Sequence, residues 1–161
     1  MFVGLAPAAS ESTDAWDDFL ADLVGRGLRG PLLGISDGAA RLTGAFDRAF
    51  PASLRQRCLV HRDRNVLAKV SAHDQTQVKA DFWAIFEVGD AEAGDQAISV
   101  ARRQATAFAA TWKVRYPSAV ACVTDDLASL TVHLRFPAEH WHRIRHSNLI
   151  ERTFGRAAAP R

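Results

Sequence analysis

The hydrophobic spacing of this chain changes once, near residue 71, and that change limits the architectures open to it. Before it, residues 31–36 (Pro-Leu-Leu-Gly-Ile-Ser) form a continuous apolar run of strand length. Residues 54–60 alternate, with Leu54, Gln56, Cys58 and Val60 on one face, and read as a second strand. Each run leads into helical spacing. The first helix carries Leu42, Phe46 and Phe50 and is stopped by Pro51; the second begins near His61 and carries Val66, Leu67 and Val70. An earlier helix is capped by Ser12 or Thr13, with Asp14, Asp17 and Asp18 favourably placed against its positive end. Trp16, Phe19, Leu20 and Leu23 recur along it, and residues 25–30 end it. Strand, helix, strand, helix in this order implies parallel pairing in an open α/β sheet.

Beyond residue 71 no strand signal returns. Val78, Phe82, Ile85 and Phe86 form one helical stripe, and Ile98, Ala101, Ala105, Phe108 and Trp112 form another, ended by Tyr116-Pro117. Residues 118–134 and 138–158 also read as helical, with a break at Phe136-Pro137. Trp16, Trp83 and Trp112 fall on apolar faces and read as core.

The chain has 161 residues, 48% hydrophobic and 24% charged, enough for one domain with a real core and unlike a disordered chain. A net charge of +2 hides an uneven distribution. Residues 1–30 carry Arg26 and Arg29 against five acids, whereas residues 55–69 carry five basic side chains against Asp63 alone. Residues 135–161 carry six arginines against Glu139 and Glu151, with His140, His142 and His146 added. Two basic segments fit a phosphate-backbone partner, and a solvated charged face accounts for them equally well. Two cysteines make no disulfide framework, which points to a reducing cytoplasm. Residues 1–10 lack the basic start of a secretory signal and read as a truncated strand running into a loop. No stretch approaches the ~18 apolar residues that a membrane span requires.

Asp37 stands at the carboxyl end of the first strand, where ligand sites gather in open α/β sheets. A carboxylate there suits a hard cation such as magnesium, which shares its coordination with water and phosphate. Asp-Gly is also a common turn dipeptide, and Asp caps helices well. Glu151 alone is an ordinary residue for the front of a helix. Cys58 and His61 have acceptable zinc spacing, but no second pair matches them, which argues against a structural zinc site. A buried Cys beside a helix-capping His is the plainer reading. Serine-hydrolase, P-loop and zinc-ribbon patterns are missing from the sequence.

Three stretches nevertheless occur in fixed order: Ser36-Asp37-Gly38, then Cys58-x-x-His61-x-x-x-Asn65, then Asn148-x-x-Glu151-Arg152. With Arg26-Gly27-Leu28 and Arg143-Ile144-Arg145 beside them, the chain from about Val3 to Gly155 resembles the catalytic core of bacterial Mutator-type insertion-sequence transposases. The resemblance implies an α/β fold in which an incomplete RNase H-like core over residues 1–70 is followed by an all-helical insertion over 71–140. Residues 141–161 would form a returning helix that bears the last acid. It implies catalytic and metal-binding roles for Asp37 and Glu151, the second and third acids of a DDE set that holds magnesium. Cys58, His61, Asn65, Asn148 and Arg152 would lie beside them, and Arg55, Arg57, Arg62, Arg64, Arg143 and Arg145 would contact DNA. The partners so implied are transposon ends and target DNA, and a homo-oligomer on DNA is compatible with them.

The family pattern also places a first acid on an earlier strand. Nothing upstream of Asp37 matches it, because Asp14, Asp17, Asp18 and Asp22 lie on a helix. His146-Ser147 stands where two threonines are usual, and residues 155–161 replace a basic helical continuation. The chain is therefore expected to be truncated at both ends. Two functions remain open: a metal-dependent DNA strand-transferase or its surviving part, and an inactive remnant that at most binds nucleic acid.

Overall fold

The computed structural model describes residues 12–147. Ser12 caps the first helix, α1 (Thr13–Gly25), its Oγ accepting the Ala15 amide at 3.1 Å and so satisfying one of the free first-turn donors. Leu20 and Leu23 turn inward against Ala45 and Phe50 of the next helical segment, with Trp16, Phe19 and Phe46 packed around them. Arg48 and Asp17, 2.7 Å apart, tie the two helices on the solvent side.

Strand β1 (Leu33–Ser36) and strand β2 (Leu54–Arg57) pair in parallel, with Leu33 opposite Leu54 and Ser36 opposite Arg57. Helix α2 (Ala40–Ala49) is the crossover that parallel pairing requires. Gly34 sets how closely α2 approaches the sheet. A Cβ there would lie 2.5 Å from the ring of Phe46, so only glycine lets that ring rest on the strand. The expected parallel α/β arrangement is present, and these are the only two strands among the described residues.

The second strand is shorter than its alternation suggested. It ends at Arg57, and α3 (Leu59–Leu67) begins directly, with Cys58 as its N-cap. Val60 therefore belongs to a helix, not to the strand face. The reason is tertiary: the Cys58 amide bonds the Ser36 carbonyl at 2.7 Å, while the Cys58 carbonyl already accepts the Arg62 amide at 3.1 Å. His61 consequently sits inside the helix instead of capping it, and Val70 lies beyond the helix end, though still buried.

The helical part comprises α4 (Gln75–Ala84), α5 (Asp95–Trp112), α6 (Pro117–Thr124) and a single turn, α7 (Leu127–Leu130). Two 3-10 turns, Val132–Arg135 and Ala138–His140, and a further turn, α8 (Trp141–Ile144), follow among the described residues. Of the expected α5 stripe, Ala101, Ala105, Phe108 and Trp112 are buried at spacings of three and four, while Ala97 takes the inward place expected of Ile98, which is half-buried. Val66, Val78, Phe82, Ile85, Val120 and Val123 meet Ala105, Phe108 and Trp112 in the largest core, while Ala97 and Ala101 pack with Val88 and Leu134. Trp112 is buried there, whereas Trp16 and Trp83 pack only at core margins.

The two long helices expected over 118–134 and 138–158 are not formed in the described part. Asp125 and Asp126 interrupt the first, and Pro137 lacks the amide that would carry a helix through, so only single turns follow. Among the described residues no helix is long and apolar enough to cross a membrane.

Sheet and helices meet at a buried polar junction. Gln56, in the middle of β2, is 1% exposed, and His133 is fully buried. Nε2 of Gln56 donates to the carbonyls of Arg57 at 2.7 Å and Leu130 at 3.0 Å. Its Oε1 accepts the His133 amide at 2.8 Å and faces His133 Nδ1 at 3.2 Å. A polar residue is tolerated in the middle of a strand here because every one of its hydrogen-bonding groups is used.

Candidate functional site

Asp37 leaves the carboxyl end of β1, exposed, and its Oδ1 accepts the Ala39 amide at 3.0 Å. That bond shapes the turn into α2, which otherwise lacks a side-chain cap. Gly38 follows with φ +85°, a conformation that side chains disfavour. The space its missing side chain would fill is occupied by Arg57, whose Cζ would lie 2.3 Å from a Cβ at Gly38. The guanidinium of Arg57 thus lies flat against the backbone one residue past Asp37. Its pKa is lowered, first by burial and then by the nearby charge of Arg62, with Asp126 and Asp37 acting in the opposite sense.

Cys58 is fully buried and touches both neighbouring segments. Its amide bonds Ser36, and its Sγ accepts from the Ser147 amide at 3.4 Å and the Ser147 hydroxyl at 3.5 Å. Burial pushes the thiol pKa up, but hydrogen bonds from Ser147 and His61 outweigh that and hold it below the ordinary value. The chain returning from the helical part is fastened again one residue on, where the Leu59 amide donates to the Arg145 carbonyl at 2.9 Å. That carbonyl satisfies one of the first-turn amides of α3. Arg145 itself sits over the Trp83 ring at 5.0 Å and reaches Glu87 at 3.2 Å. Residues 145–147 are thereby held against the start of α3, close to the end of the sheet from which Asp37 emerges.

Of the residues singled out in the sequence, Asp37, Cys58 and His61 collect at this end, and Asn65 is exposed further along α3. Glu151, Asn148 and Arg152 lie outside the described residues. The six arginines divide. Arg64 and Arg143 are exposed. Arg55 pairs with Asp47 at 2.7 Å on the surface. Arg57 and Arg62 converge on Asp126, and Arg145 is committed to Glu87 and Trp83. Asp37 offers a hard oxygen donor suited to one position of a magnesium ion. Among the described residues, no three His, Cys, Asp or Glu side chains gather into a metal cage.

Three contributors were not read from the sequence: Asp126, Ser147 and Glu87. Asp126 had a visible signal, since Asp before Leu127 marks a helix start, but its pairing partners lie 64 positions upstream in the case of Arg62. Ser147 and Glu87 are ordinary surface residue types whose roles come only from the tertiary return.

A family model described as "Transposase, Mutator family" matches residues 2–156. The chain is 39% identical over 145 residues to the transposase for insertion sequence element IST2 of Acidithiobacillus ferrooxidans, covering 89% of this chain and 47% of that protein. It is 40% identical over 154 residues to the transposase for insertion sequence element IS6120 of Mycolicibacterium smegmatis, covering 94% and 45%. A transposase for element ISRM5 of Rhizobium meliloti is 30% identical over 145 residues. The chain belongs to the Mutator family of transposases. It spans a little under half the length of the first two relatives.

Proposed function

We propose that this chain is the part of an insertion-element transposase that supplies the second and third acids of a DDE set, on an RNase H-like core interrupted by a helical insertion. Asp37 is the second acid and Glu151 the third. The reaction class is in-line displacement at a DNA phosphodiester, first cleaving a strand at a transposon end and then joining it to target DNA. Asp37 and Glu151 would hold magnesium, which when bound activates the attacking oxygen and stabilises the leaving one. Arg57, Arg64 and Arg143 contribute positive charge for the DNA backbone, while Arg145 secures the segment that leads toward Glu151.

The observation that carries this reading is the position of Cys58. Its amide holds Ser36, next to Asp37, and its sulfur holds Ser147, four residues before Glu151. Ser147 is thereby held at the sheet end from which Asp37 emerges.

Two measurements test it. Manganese binding followed by electron paramagnetic resonance is expected to weaken in Asp37→Asn and in Glu151→Gln. Either variant binding manganese as tightly as wild type removes that acid from the metal site. Duplex DNA binding is expected to fall steeply with salt, because neutralised phosphates release counterions. Binding that is indifferent to salt, or missing at low ionic strength, overturns the DNA reading.

A further inference from the structure

Arg57 and Arg62 reach the same oxygen of the same carboxylate. Nη1 of Arg57 lies 3.2 Å from Asp126 Oδ2, and Nη2 of Arg62 bonds that atom too. A guanidinium pairs most strongly with an oxyanion through two parallel bonds. Neither arginine achieves this, and Nε of Arg57 and Nε of Arg62 are both buried without an acceptor. The Arg62 side chain is only 10% exposed, so its unused donor cannot simply turn to water. One buried cation, Arg62, and one half-buried cation, Arg57, thus share one carboxylate oxygen, and each has a buried Nε left without an acceptor.

Asp126 is also in an unusual state for its position. It is the N-cap residue of α7, where an Asp carboxylate ordinarily accepts first-turn amides, yet it makes no such bond. Its carboxylate faces the arginines instead. Its side chain is 25% exposed, which leaves it room to swing away. The Arg57 guanidinium, meanwhile, lies against Gly38, beside Asp37.

We propose that Asp126 is an internal stand-in for phosphate: it holds Arg57 and Arg62 together until a backbone phosphate of bound DNA takes its place between them. The proposal rests on the DNA-binding reading above and names the seat and its competitor. A phosphodiester carries the same single negative charge as the carboxylate, so the exchange leaves the charge balance unchanged. Its two non-bridging oxygens can give each guanidinium an oxygen of its own, where Asp126 gives both the same one. The displaced carboxylate can turn onto the α7 amides, which offsets part of the cost of releasing it. DNA arriving at this seat would be positioned by Arg57 directly beside Asp37.

Fluorescence anisotropy of a labelled mixed-sequence duplex, titrated with the full chain over a series of salt concentrations, tests the exchange. Asp126→Asn removes the competitor and is expected to tighten binding roughly tenfold at low salt and to steepen the slope of log affinity against log salt by about one. Arg57→Gln is expected to weaken binding and to make that slope shallower by about one. Asp126→Glu keeps the competing carboxylate and is expected to bind as wild type does. Should Asp126→Asn fail to fold, Asp126→Ser removes the same carboxylate and takes its place; a folded variant that binds no tighter than wild type overturns the exchange. If wild-type binding is salt-sensitive and Arg57→Gln does not change it, the exchange is wrong and the DNA reading survives. If wild type binds no duplex at low salt, both fall.

Discussion

Gln56 and His133, 77 positions apart, share two contacts through a single amide oxygen: the His133 amide at 2.8 Å and the His133 Nδ1 at 3.2 Å. A neutral imidazole that donates from Nδ1 leaves Nε2 as a buried acceptor, and Nε2 indeed has no partner. Gln56→Leu is therefore expected to destabilise the chain by about 2–4 kcal/mol, because the Leu130 carbonyl and the His133 amide lose their partner while buried. Urea denaturation followed by tryptophan fluorescence measures this. A loss below about 0.5 kcal/mol would show that the junction is replaceable by apolar packing.

His133 makes stability depend on pH. Burial, then the charge of Arg145, lowers its pKa from 6.5 to about 4. Between these values the unfolded chain binds a proton that the folded chain refuses, so stability falls as pH drops from 6.5 toward 4. The loss is about 3 kcal/mol at most, from ~1.4 kcal/mol per pKa unit. His146, lowered by burial and Arg145, acts in the same direction. Denaturation midpoints at pH 7 and pH 4.5 are expected to differ markedly in wild type and less in His133→Leu.

Gly38→Ala is expected to cost about 1–3 kcal/mol through its positive φ alone, and more through its collision with Arg57. Gly27→Ala is the control, since its φ is also positive, +92°, and nothing lies within 4 Å of a Cβ at that position. Equal melting temperatures for the two variants would mean that the Arg57 side chain yields freely.

Cys58→Ala removes the sulfur that accepts from Ser147 but leaves its own amide bond to Ser36 in place. Hydrogen exchange is expected to accelerate at the Ser147 and Leu59 amides and to stay unchanged in α5. Unaltered exchange at Ser147 would show that the Arg145 contacts alone hold the returning segment.

The purified chain by itself is expected not to nick or join DNA in magnesium or manganese. On the reading proposed above, Asp37 and Glu151 would offer two carboxylates to a chemistry that holds two ions roughly 3.5–4 Å apart. A supercoiled plasmid incubated with the chain should remain intact; nicking that disappears in Asp37→Ala would reveal another acid in the site.

Local patterns were readable where local forces govern. The Ser12 cap, the α5 stripe and the parallel crossover through α2 all follow from spacing and turn chemistry. The motif around Asp37 was legible because a strand end followed by Asp-Gly has few other conformations. Misreadings occurred where distant partners decide. Cys58 and Val60 keep strand alternation in sequence, yet the Ser36 carbonyl and the Arg145 carbonyl together turn the chain into a helix at that point. Asp126 was read inside one helix over 118–134; it instead precedes a separate turn, and its carboxylate answers to arginines that no periodicity connects to it.

The Cys58–Ser147 contact closes a loop of 89 positions, whereas α1 with α2, or α3 with α4, join neighbours in the chain. Loop closure over such a span must be completed before its contacts give anything back. The returning segment is therefore expected to dock on the sheet end that carries Asp37 late in folding and to leave it early in unfolding. A protein caught partway along that route would already hold its helical core while its returning segment still hung free of the sheet. Slow steps in recovering native tryptophan fluorescence from denaturant would then report on a single sulfur meeting a single serine.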